Sequence, residues 1–152
     1  MKESQDDIRI RECRESDIIE MLSMLAKEGI YHSEDLYVLI YENYRDLILI
    51  AEKNNKIAGF VMGVLSSEDS GRILVLFVDK KYRGLGIGKK LMQAIIKKLT
   101  ARYGVREISL EVHEKNIAAI SLYESLGFKK VKKLRGYYDG EDGWLMVKRV
   151  LP

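Results

Sequence analysis

The sequence predicts an α/β domain built on a mixed sheet, with its elements in the order βααβββαβαββ. Three observations carry this. Segments that alternate apolar and polar residues interleave with segments of helical period, a glycine-rich turn joins one strand directly to a helix, and no linker or repeat interrupts the chain. With 152 residues, 47% of them apolar, the chain can close around one core, so residues 1–152 read as one domain.

Residues 8–13 alternate like a strand. Ser16 could then cap a helix carrying Ile18, Ile19, Leu22 and Leu25 at helical spacing, stopped by Gly29, and a second short helix follows Ser33. Residues 47–53 and 56–65 flank Asn54-Asn55, a pair that tolerates the positive φ of a tight turn, and read as an antiparallel hairpin. Residues 72–78 form a third strand of this set. Gly84 to Gly88 open a helix to about Tyr103, with Leu91, Ile95 and Leu99 on one face and basic residues on the other, ended by Gly104. Residues 107–112 read as a strand, reached by a parallel crossover. Asn116 can cap a helix through Leu126 that stops at Gly127, and residues 128–137 and 143–150 close the sheet.

The bulk chemistry excludes several classes. A net charge of +3 is far short of a nucleic-acid signature. Cys13 is the only cysteine, which rules out an internal disulfide, a multi-cysteine zinc site and a paired redox motif. The N-terminal stretch is polar and acidic rather than leader-like, and no apolar run is long enough to span a bilayer, so a cytoplasmic protein with no membrane partner is expected. Cys13 has no evident base beside it and reads as a small hydrophobe. His32 and His113 lack metal-ligand spacing, no metal is expected, and both read as surface or loop residues.

The loop Arg83-Gly84-Leu85-Gly86-Ile87-Gly88 lies between a strand and a helix, where residues without side chains let successive N–H groups converge on an anion. A P-loop would need Ser or Thr after Gly88-Lys89, where Lys90 stands; a dinucleotide fold would need its glycines after the first strand, and this loop follows the fourth. A plain strand-to-helix turn is the remaining alternative. Here the chain resembles the GNAT superfamily of acetyltransferases, whose signature is Arg or Gln, two residues, Gly, one residue, then Gly or Ala: Arg83, Gly86 and Gly88 match. The resemblance implies the GNAT fold, a mixed central sheet with helices on both faces. It also implies acetyl-CoA as cosubstrate, its pyrophosphate held by backbone amides from Arg83 through Gly84, Leu85, Gly86, Ile87 and Gly88 to Lys89. Main-chain groups of Leu76, Phe77 and Val78 would pair with the pantetheine arm.

A second constellation follows. Asn116 and Tyr123 are seven residues apart, so at ~100° per residue one helix face can present an amide and a phenol to the same ligand. An N-cap and a half-buried tyrosine are the plainer alternative. Glu111 falls on the strand face opposite Ile108, Leu110 and Val112, where a carboxylate is costly unless water, an amine or a neighbouring Lys or Arg reaches it. The stretch Lys129, Lys130, Lys132, Lys133 and Arg135 reads as a solvated hairpin face, and nucleic acid is not expected as a partner.

Together with Tyr137-Tyr138-Asp139-Gly140-Glu141-Asp142 and Met146, these residues narrow the resemblance to acetyltransferases of protein N-termini, including the ribosomal-protein alanine and archaeal types. By that resemblance Glu111 is the general base, Tyr123 the general acid at the departing sulfur, and Asn116 a pantetheine contact. Tyr31, Tyr137 and Tyr138 line the peptide entrance. The substrate is then the α-amine of a peptide or protein, attacking directly in a ternary complex; a second copy or an auxiliary subunit stays open as a partner. Residues 29–33 and Gly143-Trp144 depart from the family's usual patterns at the peptide side. A small-amine acetyltransferase and a non-catalytic acyl-CoA-binding module remain alternatives.

Overall fold

The computed structural model describes residues 7–150, and the N-terminal stretch on which the reading of no leader rests lies, apart from Asp7, outside them. The strands are β1 (Ile8–Glu12), β2 (Ile48–Lys53), β3 (Lys56–Ser67), β4 (Ser70–Val78), β5 (Glu107–His113), β6 (Lys129–Tyr138) and β7 (Glu141–Arg149). The helices are α1 (Asp17–Ala26), α2 (Glu34–Tyr44), α3 (Ile87–Ala101) and α4 (Ile117–Ser125). One seven-stranded sheet runs β1-β2-β3-β4-β5-β7-β6, antiparallel throughout except for the β4–β5 pair.

Strand alternation splits the core in two. Leu49, Ala51 and Val61 face α3 and α4, meeting Leu91, Ile95, Leu99 and Ile120. Ile48, Ile50, Phe60 and Met62 face the other way, onto Met21, Leu25, Tyr37 and Ile40 of α1 and α2. Two buried faces explain why β2 and β3 read as nearly continuous apolar runs. The β2–β3 turn has the expected geometry, with φ of 53° at Asn54 and 63° at Asn55, both positive as a two-residue hairpin requires.

Ser16 does not cap α1: it has helical dihedrals and makes no capping bond. The Asp17 carboxylate, at the first position of α1, instead turns back out of the helix, accepting from the Arg14 amide at 2.7 Å and from the Arg11 guanidinium at 2.8 and 3.0 Å. Ser33, by contrast, does cap α2, its Oγ accepting from Leu36 N at 3.3 Å.

Burial alone would push the Asp17 carboxyl up, but the Arg11 side chain, the Arg14 amide and the two arginine charges outweigh it and hold it below the usual carboxylate range. A depressed native value contributes stability above the unfolded value of ~3.9, and that contribution drains away as pH falls through the native value. The urea midpoint should therefore drop as pH is lowered below ~4. Asp17→Asn should cost roughly 3 kcal/mol at neutral pH, since both side chains are about nine-tenths buried, and its own midpoint should depend less on acid.

The feature that makes a site is the incomplete β4–β5 pairing. Residues Ser70 to Ile73 pair with Glu107 to Leu110, and the ladder stops there. Beyond it, β4 stays bonded to β3 and β5 to β7. The β3–β4 register shifts between Met62 and Gly63, leaving Leu74 as an extra residue, a bulge that bends its strand away. Two neighbouring strands thus part in the middle of the sheet.

Candidate active site

β4 ends at Val78 and leads through a short turn over Lys80–Tyr82 to the glycine loop. Gly84 and Gly86 have φ of 85° and 79°, which side chains rarely adopt, and Gly86 is the N-cap of α3. The first helical bond runs from Lys90 N to Gly86 O at 3.1 Å, so the preceding amides have no helical carbonyl to bond. A Cβ on Gly88 would meet Leu122, Leu76 and Val78 at 3.5 to 3.8 Å, filling the floor between α3, α4 and β4.

The Arg83 side chain is committed elsewhere. Its Nε donates to Val78 O at 3.0 Å, Nη2 donates to both Glu28 oxygens at 2.8 and 3.0 Å, and the guanidinium lies 5.9 Å from the Phe77 ring centre. It braces the loop against β4 and the end of α1, leaving the backbone to meet an anion. Ile87 is buried and Leu85 packs on the same cluster, whereas Lys89 is exposed. An extended ligand ending in phosphates fits these residues: free edge of β4 from Leu74 to Val78, side-chain-free floor at Gly88, unpaired amides at α3.

Between the parted strands lies a cavity of about 280 Å³, lined on the α4 side by Asn116 and Tyr123 and on the opposite side by Glu111, Tyr138, Ile30 and His32. A second cavity of about 210 Å³, bounded by Arg72, Leu74, Tyr137 and Tyr138, shares Glu111 with it. The structure thus brings Glu111, Tyr123, Asn116, Tyr137 and Tyr138 to one cleft. Leu76 and Phe77 line it too, while Val78 packs beside the Gly88 floor. Tyr31 is not brought there: it is 80% exposed and lines neither cavity, and its neighbours Ile30 and His32 do.

Glu111 sits as the alternation predicts, between the buried Leu110 and Val112 but on the other face, where it is half-buried. The ion pair that the sequence left open is present: Arg72 Nη2 donates to Glu111 Oε1. Parallel register explains it, because Arg72 pairs with Ser109, two residues from Glu111 on the same face. The sequence reading passed over Arg72; its only signal was period-two alternation along 72–78, and the register needed to use it was not legible.

Asn116 does serve as N-cap, its Oδ1 accepting from Ala119 N at 3.2 Å, and the same side chain lines the cavity. The plainer alternative and the ligand reading are compatible. Tyr123 is 8% exposed and packs on Phe128 at 6.0 Å between ring centres. Burial, then the proximity of Tyr138, push its phenol up to about 12. Contact with Glu111, then burial, raises the Tyr137 phenol, while burial and the Glu111 charge raise that of Tyr138.

The last hairpin turns at Asp139 and Gly140, with φ of 49° and 90°. It carries Tyr138 back over Gly143, onto the His113 ring at 5.2 Å. Gly143 is opposite His113 in the β5–β7 ladder, and a Cβ there would lie 2.4 Å from Tyr138 Cε2 and 2.8 Å from Val112 O. The departure from the family pattern is therefore a matter of space: without a side chain at 143, Tyr138 can lie beside Glu111. Gly143→Ala should destabilise the protein by about 1–3 kcal/mol, as overpacking does. It should also raise KM for the acceptor several-fold without weakening coenzyme binding, measured by thermal melts and by titrating each ligand.

These features have counterparts among known proteins. The profile of the Acetyltransferase (GNAT) family matches residues 16–128. An N-alpha-acetyltransferase of Sulfurisphaera tokodaii is 33% identical, the alignment covering 93% of this chain and 92% of that one. The crystal structure of Ard1 from Thermoplasma volcanium superposes with a TM-score of 0.88 at 26% identity, over 96% of this chain and 99% of the other. A chain of the NatC complex bound to Gag peptide and CoA gives 0.87 at 26% identity, over 95% and 99%. Parted central strands, a glycine loop at a helix N-terminus and a profile match across most of the length all lead to one assignment: the chain belongs to the GNAT family of acetyltransferases.

Proposed function

We propose that this protein transfers an acetyl group from acetyl-CoA to the α-amine of a peptide or protein N-terminus. The observation that carries the reading is that Glu111 and Tyr123 look into one cavity through the gap in the sheet, from opposite sides. The relative from Sulfurisphaera tokodaii bears the same activity in its name.

Acetyl-CoA supplies an activated acetyl thioester. Leu76, Phe77 and Val78 would hold its arm along the free edge of β4, Asn116 would contact the arm from α4, and the amides from Arg83 to Lys89 would hold the phosphates. On the acceptor side, an ammonium is not a nucleophile, and an α-amine of pKa ~8 loses its proton far more readily than a lysine side chain at ~10.4. Glu111 takes that proton, directly or through a water. Tyr137 and Tyr138 flank it and bound the space where the first residues of an acceptor lie. Tyr123, held near 12, stays a protonated donor throughout the physiological range and offers its hydrogen bond to the departing sulfur.

Among the described residues no helix is long and apolar enough to cross a membrane. The test is acetyl-CoA consumption by the isolated chain with short peptides that differ at residue one, each paired with a copy whose α-amine is blocked and whose lysines are free. Activity lost on blocking is the expected result. Activity that survives the block would overturn α-amine transfer in favour of lysine, and turnover of polyamines alone would overturn it in favour of a small amine.

A further inference from the structure

Resting on the α-amine reading, we propose that Arg72 is a substrate-recognition residue, which selects acceptors with a carboxylate side chain in their first two residues. Arg72 stands on the last rung but one before β4 and β5 part, and it walls the smaller cavity together with Glu111, Tyr137 and Tyr138. Among the described residues lining the two cavities it is the one permanently charged cation; His32 and His113 are the other basic groups.

The guanidinium is only partly used. Nη2 donates to a single oxygen of Glu111, and among the described residues the other side chain it bonds is Tyr137. A guanidinium has five N–H donors in a planar fork suited to holding carboxylates, so several remain. With 42% of its side chain exposed, Arg72 opens towards the acceptor side rather than into the core.

The distances that matter follow from the reaction. The acceptor amine must come within a hydrogen bond, or one water, of the Glu111 carboxylate, which Arg72 already touches. A carboxylate on residue one or two of the acceptor is therefore carried to the guanidinium. Arg72 can bridge it to Glu111, whose negative charge would otherwise repel it. A lysine or arginine at the same position meets the opposite sign.

Glu141 at the hairpin tip is engaged by Lys115 at 2.6 Å and stands 3.5 Å from His113 Nε2. His32 Nδ1 is engaged by the Tyr37 hydroxyl at 2.7 Å.

The experiment compares kcat/KM on peptides identical except for Glu, Gln or Lys, placed in turn at residues one and two, for the wild-type chain, Arg72→Gln and Arg72→Lys. Wild type should favour Glu over Gln by about tenfold or more at one of the two positions, and disfavour Lys. Arg72→Gln should abolish that preference while still acetylating the Gln peptides, and Arg72→Lys should retain part of it. Equal rates of wild type on Glu and Gln peptides would overturn the proposal, as would a preference that survives Arg72→Gln. So would a uniform loss on all peptides with an altered pH profile, which would make Arg72 a positioning residue for Glu111 alone. Failure of the underlying reading looks different: the α-blocked copies would be acetylated as well as the free ones.

Discussion

Glu111→Gln is expected to lower kcat by two to four orders of magnitude while leaving coenzyme affinity unchanged, the range for loss of a positioned general base. The substitution keeps the shape of the side chain and an oxygen that can still accept from Arg72 Nη2, so the geometry of the cleft survives. What is lost is the ability to take a proton from the acceptor. Coenzyme affinity should hold because the residues proposed to hold the coenzyme, Asn116 and the glycine loop from Arg83 to Lys89, share no hydrogen bond or ion pair with Glu111, which is bonded to Arg72. Stability should shift by no more than about 1 kcal/mol, since the partner left behind, Arg72, is 42% exposed and regains water.

The pH dependence adds a second readout. Without a base, the acceptor must arrive already neutral, so the residual rate of the variant should climb as pH approaches the amine's own ~8. Steady-state kinetics over that interval, with coenzyme binding by titration, decides the matter. A fall in kcat of less than about tenfold would remove Glu111 from the chemistry and leave it as the anchor of Arg72.

Much of this was legible in the sequence because it depends on local chemistry. The positive φ at Asn54 and Asn55 follows from residue type and is where it was expected, and the glycines at 84 and 86 stand where the loop needs residues without side chains. Alternation along β5 placed Glu111 opposite Ile108, Leu110 and Val112, and helical period placed Asn116 and Tyr123 on one ligand-facing side. Each of these needs only a few neighbouring residues.

What escaped depends on register and on loops. Arg72 meets Glu111 across a pairing that ends after four rungs, and the bulge at Leu74 that ends it leaves no compositional mark. Ser16 has a hydroxyl suited to a cap, but its backbone is already helical and the bond is not made, which residue type alone does not reveal. Tyr31 was placed by resemblance in a loop whose sequence departs from the family, and there its neighbours Ile30 and His32 face the cleft instead. Gly143 read as a departure from pattern; only the three-dimensional path of Tyr138 shows the absent side chain to be space that is used.

Tyr123→Phe should cost about two orders of magnitude in kcat with almost no change in stability or coenzyme affinity. The ring makes the structural contribution: it is buried, packed on Phe128, and Phe preserves it. The hydroxyl contributes nothing to the fold, for it has no protein hydrogen-bond partner among the described residues and opens on the cavity. A donor that opens on a cavity is free to bond a bound ligand, and under the proposed reading that ligand is the coenzyme. The hydroxyl's proton affinity limits what it can do there. A phenol pushed up to about 12 gives its proton to a thiolate, whose thiol has a pKa of ~8.5, only uphill, so under the proposed reading its effect would be a hydrogen bond to the developing negative charge, with final protonation from solvent. Two consequences separate this from a packing role. The wild-type rate should show no alkaline loss from Tyr123 below pH 10, and the variant should melt at or above the wild-type temperature while losing kcat. A variant that melts lower and keeps its kcat would make Tyr123 a core residue, and the departing thiolate would then have to be met by backbone amides alone.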